Sequence, residues 1–249
     1  MTAPSDVKIR INSDMGEAFG LHSFGNDEAL MSIIDEANVA CGYHAGDPDT
    51  MDTTVALAKE HGVKVGAHPG LPDLVGFGRR AMAMRPDEVE QIFHYQVGAL
   101  SSFLKKHDVP LNHIKPHGAL YGMLARDAEL MLAALKVAKV YGVTFMGPQF
   151  GEQHHRYAEE LGVPIVEELY VDLNYNAEGE LVIVRRPEHT SPDAAAARIR
   201  RVLEDGKVET LDGTLCSPRF QSICVHSDTP NAVEVATAVR DTLRESRAA

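Results

Sequence analysis

Cysteine is scarce in this chain, and tryptophan is absent. The three cysteines are Cys41, Cys216 and Cys224, and no two of them form a C-x-x-C pair. An odd count without such a pair argues against a disulfide framework and against a cysteine-type zinc site. Cys41 and Cys224 lie in apolar runs, which indicates buried cysteines. Cys41 is also close to His44 in sequence, so a nucleophile at this position stays open as an alternative.

Positive charge and long apolar segments are also in short supply. The 24 lysines and arginines are outnumbered by 36 aspartates and glutamates, which gives a formal net charge of −12. A nucleic-acid partner is therefore not expected, because binding phosphates requires basic patches. The N-terminus lacks the basic and apolar segments of a signal peptide. No apolar run approaches the ~18 residues of a membrane span, so we expect a soluble cytoplasmic protein with no membrane partner.

Standard nucleotide and hydrolase motifs are missing as well. The chain has no G-x-x-x-x-G-K-[ST] loop, no G-x-G-x-x-G after its first strand, no G-x-S-x-G elbow and no H-E-x-x-H pair. Nucleotide binding by a standard phosphate loop is thus not expected. Any metal site has to be assembled from residues that lie far apart in the sequence.

The chain does have a regular alternation of strand-like and helix-like segments across 249 residues, 44% of them hydrophobic. Short runs bounded by turn-forming residues predict seven strands, at 7–13, 37–42, 63–67, 112–116, 142–147, 164–170 and 221–226. Apolar spacing of three to four residues and the start and stop signals predict helices, at 27–36, 48–61, 86–107, 127–141, 192–205 and 230–245.

This alternation predicts an α/β fold: a seven-stranded, TIM-like (β/α) barrel formed by residues 1–249 as one domain. An open doubly wound sheet is the alternative. The barrel is favoured because chemically active residues follow nearly every strand instead of clustering at one switch point. Residues 175–190 interrupt the alternation, and their NAEG turn predicts a β-hairpin inserted in a loop.

Four histidines occupy equivalent places in the sequence pattern, since each follows a strand-like run and precedes a small or turn-forming residue. They are His44, His68, His117 and His226. The first strand ends in a similar way with Asp14 and Glu17, and Gly16 allows a sharp turn between these two carboxylates. In a (β/α) barrel such positions meet at the C-terminal mouth, where catalysis takes place.

Two cationic side chains stand near these positions. Lys115 precedes His117 by two residues, which places both on one side of an extended strand. A lysine inside a barrel is costly unless it meets an anion, so we expect Lys115 to hold a substrate carboxylate or an anionic intermediate. Arg79 lies in the glycine-rich GFGRR loop and is a second candidate for binding a carboxylate.

Several acidic residues complete the candidate site. Asp47 precedes Pro48, so a helix cap and a functional group are both open interpretations. We predict catalytic roles for Asp14, Glu17, His44, His68, Lys115 and His117. We predict substrate-binding roles for Asp47, Arg79, Glu168, Asp172, His226 and Asp228.

Six segments in this order resemble the LamB/YcsF family: INSDMGEAFG, ANVACGYHAGDP, VGAHPGLPDLVGFGRR, HIKPHGALYG, EELYVDLNY and ICVHSD. They span roughly residues 8–230. The resemblance implies a seven-stranded barrel like that of the glycoside hydrolase/deacetylase group. It also implies a component of an ATP-dependent 5-oxoprolinase, which opens the lactam 5-oxoproline to L-glutamate together with two further subunits. Those subunits would handle most of the ATP chemistry, in agreement with the missing phosphate loop.

Three positions depart from the family pattern. Leu173 stands where the family usually carries arginine, Ser227 replaces a glycine, and Gly122 follows Tyr121 in place of asparagine. The loss of an arginine near the mouth leaves open a different lactam, cyclic amide or ureide as the substrate.

The chemistry that this resemblance implies also leaves alternatives. Activation by ATP reduces the need for a Lewis acid, so acid–base catalysis without a metal is favoured. A divalent metal stays open, with candidate ligands Asp14, His44, His68 and His117. One alternative function is a stand-alone metal-dependent amidase or deacetylase, and the other is a non-catalytic binding subunit. Homo-oligomer formation is also open.

Overall fold

The structure is a computed structural model that describes residues 9–182 and 189–248. Its strands are β1 (Arg10–Met15), β2 (Glu36–Ala40), β3 (Lys64–His68), β4 (Leu111–Ile114), β5 (Thr144–Gly147), β6 (Ile165–Tyr170), β7 (Val208–Glu209), β8 (Leu215–Cys216) and β9 (Ser222–Cys224). Seven of them close into a parallel barrel in the order β1–β2–β3–β4–β5–β6–β9. Strand β1 pairs with both β2 and β9, which closes the ring. The predicted barrel is therefore confirmed, and the open sheet is wrong.

Helices connect the strands on the outside of the barrel. They are α1 (Asp27–Met31), α2 (Pro48–His61), α3 (Pro86–Lys106), α4 (Gly118–Arg126), α5 (Ala128–Tyr141), α6 (Glu152–Leu161), α7 (Pro192–Asp205) and α8 (Ala232–Ala248). Prolines stand at the first turns of α2, α3 and α7, where the missing N–H costs no hydrogen bond. No described helix is long and apolar enough to cross a membrane.

The predicted boundaries differ from the structure in the first part of the chain. Helix α1 ends at Met31 instead of residue 36, because Glu36 already pairs with Asn12 in the sheet. Strand β1 continues to Met15 and so includes Asp14, which the sequence analysis placed beyond the strand. Residues 7 and 8 of the predicted first strand lie outside the described residues.

Two helices were not predicted at all. Helix α4 begins directly after His117 and has no side-chain hydrogen bond at its N-cap. Helix α6 buries only His154 and Ala158, so its apolar stripe is too thin to be seen in the sequence. Both helices complete the β-to-β connections that the barrel requires.

Polar side chains fill the interior of the barrel, and the apolar core lies between the strands and the helices. Asn12 donates from Nδ2 to Glu168 on β6 and to Ser222 on β9, both at 2.8 Å. Asn38 on β2 accepts from His113 Nε2 at 2.6 Å and donates to Asn12 Oδ1 at 2.8 Å. These bonds join side chains of β1, β2, β4, β6 and β9, so polar residues from five of the seven barrel strands meet inside the barrel.

The segment predicted as an inserted hairpin is described only in part. Tyr175 and Leu181 form an antiparallel bridge, and the N–H of Asn176 donates to the carbonyl of Glu180. Residues 183–188 of this segment lie outside the described residues. A two-stranded antiparallel sheet of β7 and β8, which was not predicted, follows α7.

Candidate active site

A small pocket opens at the C-terminal mouth of the barrel, where the strand ends bring the candidate residues together. It is lined by Asp14, His68, Arg79, Lys115, Pro116, His117, Gly118, Tyr121, Tyr170, Leu173, Leu181 and His226. Six of the twelve residues predicted for the site are among them, and they come from the ends of β1, β3, β4 and β9 and from one loop. The predicted convergence of strand ends therefore produces one shared cavity.

Lys115 and Asp14 form an ion pair at the floor of this pocket. The Lys115 Nζ donates to Asp14 Oδ1 at 2.9 Å, to Asn12 Oδ1 at 3.1 Å and to Cys224 Sγ at 3.1 Å. Glu168 Oε1 lies 3.3 Å from the same ammonium. Because an ammonium has three N–H bonds, all of them have protein acceptors, and Lys115 acts first on its neighbours and not on a ligand.

The pair stays charged despite its burial. Burial alone would raise the pKa of Asp14, but His68 and Lys115 outweigh it and hold the pKa well below its usual range. Burial would likewise lower the pKa of Lys115, but Asp14, Cys224 and Glu168 raise it well above its usual value. Asp14 Oδ1 also accepts from Asn38 Nδ2 at 2.8 Å, and Oδ2 lies 3.3 Å from His68 Nε2.

Glu168 lies next to the Lys115–Asp14 pair, outside the pocket lining. Its carboxylate accepts from Tyr121 Oη at 3.0 Å and from Tyr170 Oη at 3.1 Å, besides the bond from Asn12. The residue is 1% exposed and does not line the pocket. Its position therefore suits the fixing of Lys115 and of the two phenols more than the substrate binding that was predicted.

His68 and His117 contact each other and two backbone carbonyls through their ring nitrogens. His68 Nδ1 donates to the carbonyl of Lys115 at 2.7 Å, and His117 Nε2 donates to the carbonyl of Phe77 at 2.8 Å. Carbonyls only accept, so both of these nitrogens are protonated. The remaining contact joins His68 Nε2 to His117 Nδ1 at 3.0 Å. Burial, His44 and His68 lower the pKa of His117 well below its usual value, and Asp14 Oδ2 lies 3.3 Å from His68 Nε2.

His44 and Glu17 lie deeper, behind this pair. The His44 ring stacks on His117 with centroids 3.7 Å apart and an interplanar angle of 3°. Glu17 Oε1 stands 3.4 Å from His44 Nε2, and neither atom has a hydrogen-bond partner among the described residues. Burial and the charges of Asp14 and Asp228 raise the pKa of Glu17 well above its usual value, which favours a neutral carboxyl group facing His44.

The Phe77–Gly78 turn, in the loop after β3, packs against the stacked rings of His44 and His117. Phe77 has a φ of 54°, in the left-handed region that costs a non-glycine residue about 1–2 kcal/mol. Its ring packs edge-on against His44 and His117. A Cβ at Gly78 would lie 2.8 Å from the Cβ of His44, so only glycine fits there. The glycines on both sides of Phe77 were the signal in the sequence for this contact.

Four residues of this cluster have the donor types and the spacing to hold a metal ion. Glu17, His44, His68 and His117 each offer an atom within 4.8 Å of the others, and all four are buried. A metal lies close to the plane of an imidazole that binds it. Since His44 and His117 are nearly parallel and stacked, no single ion lies in both planes. The cluster as arranged therefore offers at most three of the four ligands, and Asp14 lies beside it, bound to Lys115.

His226 and Asp172 form a second histidine–carboxylate pair on another wall of the pocket. Asp172 Oδ2 accepts the backbone N–H of His226 at 2.7 Å, and its two oxygens lie 3.1 and 3.0 Å from His226 Nδ1. The pairing of β6 with β9 places the two strand ends side by side. Asp172 does not line the pocket and so acts on it through His226.

Arg79 brings a guanidinium to the pocket from the loop after β3. Its Nη2 donates to Asp228 Oδ2 at 2.8 Å, and its charge lies over the Phe77 ring at 4.9 Å. Asp228 thereby orients Arg79 and does not itself line the pocket. Leu173, at the position of the family arginine, lines the pocket as an apolar wall.

Asp47 stands apart from the candidate site. Its side chain accepts the N–H of Thr50 at 2.8 Å, which caps α2, and the N–H of Gly20 at 2.6 Å, which ties down the loop after β1. It does not line the pocket, so the capping interpretation describes its contacts.

Several residues of the site were not found by sequence reasoning. Asn12, Tyr121, Tyr170 and Cys224 contact Lys115 or Glu168, and Asn38 contacts Asp14. Asn12 and Cys224 share the inward face of their strands with Asp14 and His226 at a spacing of two. That spacing was the available signal, but it does not distinguish an inward polar residue from an outward one.

Comparisons with known proteins agree with this architecture. The LamB/YcsF family pattern matches residues 9–249. The chain is 42% identical over 247 residues to a 5-oxoprolinase subunit of Thermus thermophilus, covering 96% of this chain and 97% of that one. It is 43% identical over 251 residues to the lactam utilization protein lamB of Emericella nidulans, covering 98% and 97%. The crystal structure of the lactam utilization protein from Thermus thermophilus superposes with a TM-score of 0.86 at 42% identity, covering 96% and 97%. With this barrel and these motifs along nearly its whole length, the chain belongs to the LamB/YcsF family.

Proposed function

We propose that this chain is the lactam-opening component of an ATP-dependent 5-oxoprolinase, which works in the cytoplasm with two further subunits. The relatives described above are a lactam utilization protein and a 5-oxoprolinase subunit. The missing phosphate loop supports a division of labour in which partner subunits handle ATP and pass an activated lactam to this barrel.

One observation carries the proposal: the ionised carboxylate of Asp14 lines the pocket, with one oxygen bound by two neighbours and the other beside His68. Lys115 and Asn38 bind Oδ1 of Asp14, while Oδ2 lies 3.3 Å from His68 Nε2. A carboxylate held in this way can take a proton from water. The water then attacks the carbonyl carbon of the activated ring.

The remaining walls suit a small cyclic amide with a carboxylate. Arg79 is the only guanidinium that lines the pocket among the described residues, and it suits the substrate carboxylate. Leu173 and Leu181 form an apolar side against which ring methylenes can pack. A leucine in place of the family arginine leaves Arg79 as the cation for this role.

The function is tested by measuring ring opening and ATP consumption separately, with the chain alone and with its two partner subunits. We expect 5-oxoproline to be converted to glutamate only when all subunits and ATP are present. A panel of other cyclic amides tests whether Leu173 has changed the preferred ring. Hydrolysis by the chain alone without ATP would favour a stand-alone amidase. Turnover that survives the loss of Asp14 would favour a purely binding role.

Removal of divalent metal is expected to leave ring opening unchanged. His44 is stacked parallel to His117, so the cluster as arranged offers at most three of its four ligands to one ion. The check is metal analysis of protein purified without added metal, followed by dialysis against a chelator and an assay after Mg²⁺ is restored for ATP. Magnesium is a poor substitute at imidazole ligands. Stoichiometric zinc or manganese, with activity lost on dialysis, would contradict the expectation.

A further inference from the structure

The His226–Asp172 pair has the geometry of an oriented proton donor. Asp172 accepts Nδ1–H of His226 with both oxygens near 3 Å and also binds the backbone N–H of the same residue at 2.7 Å. The imidazole stacks on Tyr170 with centroids 5.6 Å apart. With Nδ1 fixed in this way, the ring presents Nε2 away from Asp172, and His226 lines the pocket.

His226 faces Asp14 across a gap that a substrate atom can fill. A ring nitrogen of His226, a carboxylate oxygen of Asp14 and Sγ of Cys224 lie within 4.8 Å of one another. The ammonium of Lys115 donates to both Asp14 and Cys224, and burial raises the pKa of the Cys224 thiol well above its usual value. The two proton-transferring groups therefore line one pocket and lie close enough to act on neighbouring atoms of one small ring.

Lactam opening requires a proton on the nitrogen as well as a base for water. When water attacks the carbonyl carbon, its proton passes to Asp14 and a C–O bond forms. When the C–N bond then breaks, its electron pair stays on the ring nitrogen, which is a poor leaving group until it is protonated. The phosphoryl group that ATP placed on the carbonyl oxygen stays on the new acyl group, and a second water releases it as inorganic phosphate to give glutamate. The proton that Asp14 has received and the proton that the nitrogen takes up balance over the cycle.

We propose that His226 donates this proton from Nε2 to the ring nitrogen as the C–N bond breaks, and that Asp172 is the positioning residue that holds it. The inference rests on the proposed ring-opening function. It assigns opposite tasks to two groups of one pocket: Asp14 beside His68 removes a proton, and His226 beside Asp172 delivers one.

The electrostatics of the pocket agree with a donor at His226. Burial would lower the pKa of His226, but Asp172 outweighs it and raises the pKa above its usual value, with smaller contributions from Asp14 and Asp228. The carboxylates that face the imidazole thus come from β1, from the end of β6 and from its own loop, and Tyr170 covers one ring face. Arg79 and Lys115 are the arginine and lysine of the pocket lining.

The test uses the complete complex and two variants. His226→Gln is expected to lower glutamate formation by about 10²–10⁴-fold, with more ADP formed for each glutamate. Asp172→Asn is expected to shift the basic limb of the pH profile to lower pH, because the imidazole then loses its proton earlier. A titration of the His226 ring by NMR in the isolated chain should show the same downward shift of its pKa. His61→Gln, at an exposed position at the end of α2, is the matched control.

The outcomes separate the inference from the function on which it rests. If the wild-type complex leaves 5-oxoproline intact, both the proposed function and the role of His226 are wrong. If the wild-type complex is active and His226→Gln keeps its activity within tenfold, only the role of His226 is wrong. A basic limb that stays in place while the NMR pKa moves would show that another group supplies the proton. Unfolding curves like those of wild type exclude a folding defect in either variant.

Discussion

Replacement of Lys115 by methionine is expected to lower the free energy of unfolding by about 3–5 kcal/mol, because one cation of a buried ionic network is removed. Asp14 Oδ1 and Glu168 Oε1 both lie within 3.3 Å of the ammonium. Without it, two buried carboxylates face each other with no cation between them. Urea unfolding of the isolated chain, followed by circular dichroism, measures the loss.

A second substitution shows whether charge or volume causes this loss. Adding Glu168→Gln to Lys115→Met removes one of the two carboxylates left without a cation. This should recover part of the lost free energy of unfolding, and a double-mutant cycle measures the recovery. Lys64→Met is the control, since Lys64 is exposed on β3, and its effect should stay within about 0.5 kcal/mol. A Lys115→Met protein that is as stable as wild type would refute the ionic account.

Replacement of Asp14 by asparagine is expected to lower ring opening in the complete complex by about 10²–10⁴-fold. The amide keeps the shape of the carboxylate and an acceptor for Lys115, but it cannot take a proton from water. ATP consumption should fall less than glutamate formation, because activation of the lactam is assigned to the partner subunits. Asp193→Asn, at an exposed position in the first turn of α7, is the matched control.

The same variant has a pH signature. The folded-state pKa of Asp14 lies well below its usual range, so its ionised form stabilises the fold at pH values above its unfolded pKa of about 3.9. That contribution is lost as the pH falls toward the folded-state value. Asp14→Asn should lack this component, so its stability should fall less steeply below about pH 4. Acid-unfolding curves that coincide for the two proteins would contradict this assignment.

The barrel could be predicted from the sequence because its signals are local. Each strand is a short run bounded by turn-forming residues, and the prolines at 48, 86 and 192 mark helix starts. Helix α6 was not predicted from the sequence because it buries only two side chains. Strand β1 was cut short because Asp14 is polar, and a polar residue near a strand end is indistinguishable from the first residue of a loop.

The site was predicted less completely, and the reason is again physical. The residue types and their positions at strand ends indicated that Asp14, His68, Lys115, His117 and His226 would converge. Their division into pocket walls and supports depends on which atoms touch. Asp47 and Asp172 look alike as acids at turns, yet one caps α2 and the other holds an imidazole of the pocket.

The sequence by itself determined the alternation of strands and helices, the family, and the set of polar residues at the strand ends, because all three are written as local patterns. Only the tertiary structure decided that Lys115 binds Asp14, that His68 contacts His117, and that Asp172 orients His226. Those contacts join residues about 50 to 100 positions apart. They depend on the register in which the seven strands close, and that register follows from packing the whole ring.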